Sequence, residues 1–81
     1  MQIQILGTGC ARCKALAENA EKAVREFGLD AEIVKVTEIK EIMRFKVLMT
    51  PGLAINGQLK AAGRVVSPDD IKKLLVEAVG N

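Results

Sequence analysis

Gly7-Thr8-Gly9-Cys10-Ala11-Arg12-Cys13-Lys14 is the stretch on which the reading of this chain turns. It carries both cysteines of the protein, separated by Ala11 and Arg12. A short apolar alternation precedes it (Ile3, Ile5, Leu6), and a helical repeat follows it. The cysteines therefore stand where a strand gives way to a helix. At a helix start the first backbone N–H groups lack intrahelical partners, and the end carries roughly half a positive charge. A thiolate is stabilised there, so a thiol placed at that end falls below its ordinary pKa of about 8.5. Cys10 occupies that position. Cys13 lies one turn further in, within reach of Cys10 to close a small disulfide ring. The spacing suits a dithiol that attacks a disulfide with one sulfur and releases the product with the other.

Working outward, Gln2 to Leu6 is expected as a strand and residues 11–27 as a helix. Leu16, Ala20, Ala23, Val24 and Phe27 share one face of that helix. Glu18, Glu21, Lys22 and Arg25 fill the other, with Glu21 and Arg25 spaced as an ion pair. Gly28 is a natural stop. Residues 31–36 give a second, β-branched strand. Thr37 is expected to cap a short helix over 38–45, with Glu38 in its first turn and Ile39, Ile42 and Met43 on its apolar side. Val47-Leu48-Met49 leads into Thr50-Pro51-Gly52, which interrupts regular structure. Leu53 to Ile55 and Gln58 to Ala62 flank Asn56-Gly57, the signature of a two-residue hairpin turn. Gly63 ends the second arm. Ser67-Pro68-Asp69-Asp70 opens a last helix, with Ile71, Leu74, Leu75, Ala78 and Val79 on one face and Gly80 as its stop.

The expected order is β-α-β-α-β-β-α. Strands joined through a helix run parallel with a right-handed crossover, and the hairpin is antiparallel. That gives an α/β fold with a four-stranded mixed sheet flanked by helices, one domain over residues 1–81. The composition agrees. The chain is 49% hydrophobic with two Phe and neither Trp nor Tyr, so its core is aliphatic. The net charge is +2 with the charges interspersed, which makes a solvated surface and not a nucleic-acid footprint. No aromatic platform exists on which bases stack. No apolar run approaches the roughly 20 residues that span a bilayer. Met1 to Leu6 lacks the features of a signal peptide. The expected compartment is the cytoplasm, where thiols stay reduced and a structural disulfide is a poor reading of the pair.

The strand, the Cys-x-x-Cys at a helix start, the βαβ unit, the Thr-Pro ahead of a hairpin and the closing helix together resemble the thioredoxin fold over nearly the whole chain. The resemblance is closest to small thioredoxin-like and glutaredoxin-like proteins of archaea and bacteria, the redox-active disulfide proteins. It implies a thiol–disulfide oxidoreductase with Cys10 as nucleophile and Cys13 as resolving thiol. It needs no cofactor beyond the Cys10–Cys13 disulfide itself. It implies a cis bond before Pro51, the backbone of Thr50 pairing with substrate, and Gly63 either ending a strand or bordering the substrate groove. Partners so implied are a protein disulfide substrate and an unidentified reductase, with a flavoprotein like thioredoxin reductase as one candidate; nothing demands more than a monomer. Thioredoxins resemble Trp-Cys-Gly-Pro-Cys at this point and glutaredoxins Cys-Pro-Tyr-Cys, whereas Ala11 and Arg12 stand between the cysteines here.

Gly7 and Gly9 are read as giving the loop its freedom to turn. Arg12 and Lys14 either favour the Cys10 thiolate or are plain exposed charges. The alternative from a different class is a copper(I) or zinc module using the same cysteines, since thiolates select soft ions. Copper(I) chaperone domains carry a Met two residues before the first Cys, where this chain has Thr8, and end on a strand. Zinc takes four ligands, hence two chains sharing the pair, for the protein has no His. Met1, Met43 and Met49 are read as terminus or core filler.

Overall fold

The structure, a computed structural model, describes residues 1–28, 30–47 and 49–79. Its elements are β1 (Gln2–Leu6), α1 (Ala11–Phe27), β2 (Glu32–Val36), α2 (Ile39–Arg44), β3 (Gly52–Ile55), β4 (Gln58–Ala62) and α3 (Pro68–Val79). The strands form one mixed sheet in the order β2-β1-β3-β4. β1 is parallel to β2 and antiparallel to β3, and β3 is antiparallel to β4. This is the expected α/β architecture.

Alternation along the strands divides the core. Ile3, Ile5, Leu53 and Ile55 face Leu16, Ala17, Ala20 and Ala23 of α1 and Ile71 and Leu75 of α3, with Val66 closing the cluster. On the opposite sheet face Leu6 and Ala54 meet only Ile42 of α2, with Val36, Phe45 and Val47 packed alongside. Gln4 also points to that side. Its amide is satisfied by Gln2 and by the Gly57 N–H at 3.1 Å, which explains a buried glutamine.

Local chemistry accounts for the boundaries. Gly28 ends α1 at a left-handed φ of 73°, its N–H bonded to the Val24 carbonyl. Asn56 and Gly57 both take positive φ, 51° and 85°, as a tight hairpin turn requires. The Ser67 hydroxyl caps α3 by accepting from the Asp70 N–H at 3.2 Å. Several expectations need correction. Glu38, not Thr37, stands at the start of α2, and its side chain makes no cap bond. Of the apolar side foreseen for α2, only Ile42 is buried; Ile39 and Met43 are 65% and 66% exposed, because a helix of six residues seats a single side chain against the sheet. Met49 is exposed too, so only Met1 packs against the core. On α3, Val79 is exposed while Ile71 and Leu75 carry the burial. Glu21 and Arg25 form no ion pair, an exposed pair being worth too little to fix two long side chains; Glu26 reaches Lys72 of α3 at 2.8 Å. The stop assigned to Gly80 and the role of Leu48 lie outside the described residues.

Candidate active site

The strand-to-helix turn after β1 sets the two sulfurs. Cys10 is the N-cap residue of α1, with extended φ and ψ of −68° and 168°. Its carbonyl accepts the Lys14 N–H at 3.0 Å, and its sulfur accepts the Cys13 N–H at 3.4 Å. Cys10 is exposed, whereas Cys13, one turn along on the inner side of α1, is 5% exposed. Both are free thiols with Sγ atoms 2.8 Å apart, in hydrogen-bond contact.

The surroundings drive the two thiols in opposite directions. Cys10 is held below its ordinary value, chiefly by the hydrogen bond from the Cys13 thiol and next by the Cys13 backbone N–H, with the Arg12 N–H adding to these. Slight burial opposes them without prevailing. Cys13 is pushed up, first by burial and then because it donates to the Cys10 sulfur. The outer sulfur is thus the one that ionises first, and the inner one keeps its proton to hold it.

Gly7 has a role beyond turning the chain. A β-carbon there would collide with Cys13 Sγ and lie 3.2 Å from Cys13 Cβ and 3.9 Å from Thr50 Cβ. Its φ is unremarkable among the described glycines, so the need is space and not a left-handed backbone. Gly9, at φ 91° with nothing near it, is the residue that turns the loop. The sequence offered no sign that separates the two.

The Thr50–Pro51 peptide is cis, with Pro51 buried and Thr50 exposed beside Gly7. Gly63 both ends β4, at φ 77°, and borders the site: its N–H donates to the Pro51 carbonyl at 2.8 Å. Arg12 Nη2 donates to the Gly63 carbonyl at 2.9 Å, so the residue between the cysteines spans to the segment beyond β4. The guanidinium is therefore directed to Gly63; what Arg12 gives the Cys10 thiol comes from its backbone. Exposed Met49, missed from sequence, lies against Gly63, where an added Cβ would sit 3.1 Å from Met49 Cβ. Ala11 is exposed at the first helical position and presents no side chain that would obstruct Cys10.

Behind Cys13 a cavity of about 40 Å³, room for a water, is lined by Ile5, Gly7, Cys13, Lys14, Ala17, Lys35 and Thr37. Lys14 is thus part of the wall below the inner sulfur, and Lys35 joins it from β2, a placement the alternating pattern of a half-exposed strand did not announce. No carboxylate lines it. Among the described residues no three Cys, Asp, Glu or His side chains gather around a common point.

The comparisons with known proteins agree with this geometry. The family model described as thioredoxin domain matches residues 1–76. The chain is 51% identical over 75 residues to a thioredoxin of Methanothermobacter thermautotrophicus, covering 93% of this chain and 97% of that protein. It is 47% identical over 73 residues to a thioredoxin of Methanocaldococcus jannaschii, covering 90% and 84%. Among solved structures, thioredoxin-2 of the malaria parasite, described as a component of its protein secretion machinery, superposes with a TM-score of 0.67 at 20% identity, over 94% of this chain and 81% of that one. A second malarial protein superposes at 0.66, also at 20% identity, over 94% and 93%. Those two share the fold. With a Cys-x-x-Cys pair at the head of α1, a sheet ordered β2-β1-β3-β4 and relatives alike over almost their full length, the chain belongs to the thioredoxin domain family and is a thiol–disulfide oxidoreductase.

Proposed function

We propose that the Cys10 thiolate attacks the disulfide of a protein substrate and that Cys13 resolves the adduct. In the first step Cys10 Sγ bonds to one substrate sulfur and the other leaves as thiolate. In the second, Cys13 gives up its proton and attacks Cys10 Sγ, closing the Cys10–Cys13 disulfide and expelling the second substrate thiolate. Two electrons pass from the protein to the substrate, and a reductase returns them. The single observation that carries this reading is the asymmetry of the pair: an exposed sulfur receiving two hydrogen bonds from the residue of a buried one. Thr50 and Gly63 are proposed to border the bound substrate, beside buried Pro51, and the cytoplasm is the proposed setting. No helix of the described residues is long and apolar enough to cross a membrane.

The test is trapping. Cys13→Ser, mixed with a disulfide-bonded substrate, accumulates a covalent adduct through Cys10 that thiol reductant releases. Cys10→Ser accumulates none and loses disulfide reduction. An adduct on Cys13 in the Cys10→Ser protein at the wild-type rate would reverse the assignment.

A further inference from the structure

Among the described residues no ion pair includes a residue of the stretch 7–14. Arg44 pairs with Glu41, Lys72 with Glu26 and Asp69, and Lys73 with Asp70. Around the sulfurs the charges are cationic and unmatched. Arg12 spends one donor on a neutral carbonyl. Lys14 and Lys35 line the cavity beneath Cys13, and Arg64 follows Gly63. None of these four has a carboxylate within ion-pair distance among the described residues. The acids of α1 begin at Glu18, a turn beyond Lys14. Asp69 and Asp70 are engaged by Lys72 and Lys73 in the first turns of α3, and Lys72 also reaches Glu26 near the far end of α1 from Cys10. The exceptions are Glu38 and Glu41, which border a shallow groove with Lys35 and Thr37, Glu41 being paired with Arg44.

We propose that this end selects disulfides flanked by Asp or Glu, with Arg12 exchanging the Gly63 carbonyl for a substrate carboxylate. The inference rests on the proposed attack by Cys10 and names the substrate class for it. A thiolate approaching an acidic disulfide meets like-charge repulsion, and cations placed around the nucleophile offset it. The exchange is favourable because a guanidinium has five donors in a fork that matches a carboxylate, and a charged acceptor binds it more strongly than a carbonyl. Displacing Arg12 also uncovers Gly63 and the exposed Met49 beside it, which offers the substrate an apolar contact.

The experiment compares three disulfide-linked peptides that differ only in flanking residues, Asp, Ser or Lys, by kcat/KM at low and high salt. The expected order is Asp over Ser over Lys, with an Asp-to-Lys ratio of about tenfold at low salt. High salt collapses the ratio, since exposed charges are screened over about 8 Å at physiological ionic strength. Arg12→Gln lowers the ratio, and Arg12→Glu inverts it toward the Lys peptide, which a merely structural Arg12 would not do. Arg64→Glu, a second variant in case Arg12→Glu does not fold, shifts the ratio the same way. Equal turnover of all three peptides by the wild type overturns the substrate class and leaves the Cys10 mechanism standing. Turnover by Cys10→Ser equal to the wild type would overturn both.

Discussion

At the scale of single residues, the two cysteines differ because the helix start gives them different neighbours. Cys10 receives N–H and S–H donors from the first turn, and Cys13 pays that out while losing water. Alkylation resolved by mass should therefore label Cys10 with a pH midpoint below that of an ordinary thiol and Cys13 with one above it. The sign follows from the cited directions: the reactive form of Cys10 is the thiolate, so its rate rises with pH through the lowered pKa and is flat above it. Coincident midpoints would remove the basis for asymmetry. Gly7 offers a separate test. Ala at that position must move the Cys13 sulfur or its own backbone. Overpacking of this kind costs about 1–3 kcal/mol. Gly7→Ala should lower the urea midpoint of the reduced protein and lengthen the life of the Cys10 adduct. An unchanged adduct lifetime would mean that Cys13 keeps its place without the space at Gly7.

At the scale of elements, the features legible in sequence are those with local causes. The start of α1 at Ala11, its stop at Gly28, the Asn56-Gly57 turn and the Ser67 cap all follow from capping and turn chemistry within a few residues. What was not legible depended on distant contacts. The exposure of Ile39 and Met43, the placement of Lys35 and Met49, and the space needed at Gly7 are decided by which element passes nearby. Arg12 shows the same limit: two readings were open from sequence, and Gly63, far along the chain, supplied the third. The contact of α1 with α3 gives a prediction of this kind. Lys72 lowers the Glu26 pKa, and Glu26 raises that of Lys72. The depressed carboxyl stabilises the fold above its ordinary value of about 4.3, and that contribution is lost as pH falls through the lower folded value. The raised ammonium contributes below about 10.4 and is lost as pH rises through its higher folded value. Lys72→Met should thus lower the Tm at neutral pH, and the difference from wild type should vanish in acid. A difference constant with pH would assign the effect to lost packing of the Lys72 stem. Ser67→Ala should cost about 1 kcal/mol through the lost cap.

At the scale of the molecule, the sheet is supported unequally. One face carries α1 and α3 over a continuous aliphatic core, and the other carries α2 through Ile42 alone among its own buried residues. A domain of this size holds a total stability of about 4–12 kcal/mol. Removing Leu75, fully buried against α1 and the sheet, costs about 2–5 kcal/mol and takes a large share of it. Cys10 and Cys13 are built on the firm side, at the head of α1. The cis Thr50–Pro51 segment follows α2 and meets the site from the weak one. Opening free energies follow buried contacts, so native-state hydrogen exchange should divide along this line. The amides of Ile42, Phe45 and Lys46, bonded only within their own short turn, should exchange through local opening at a rate insensitive to low denaturant. Those of β1 and β3 should exchange only with global unfolding, and Leu75→Ala should accelerate the second group without changing the first. Equal protection of both groups would mean that α2 unfolds only with the core, and the floor beneath the two sulfurs would then be no firmer than the segment that faces them.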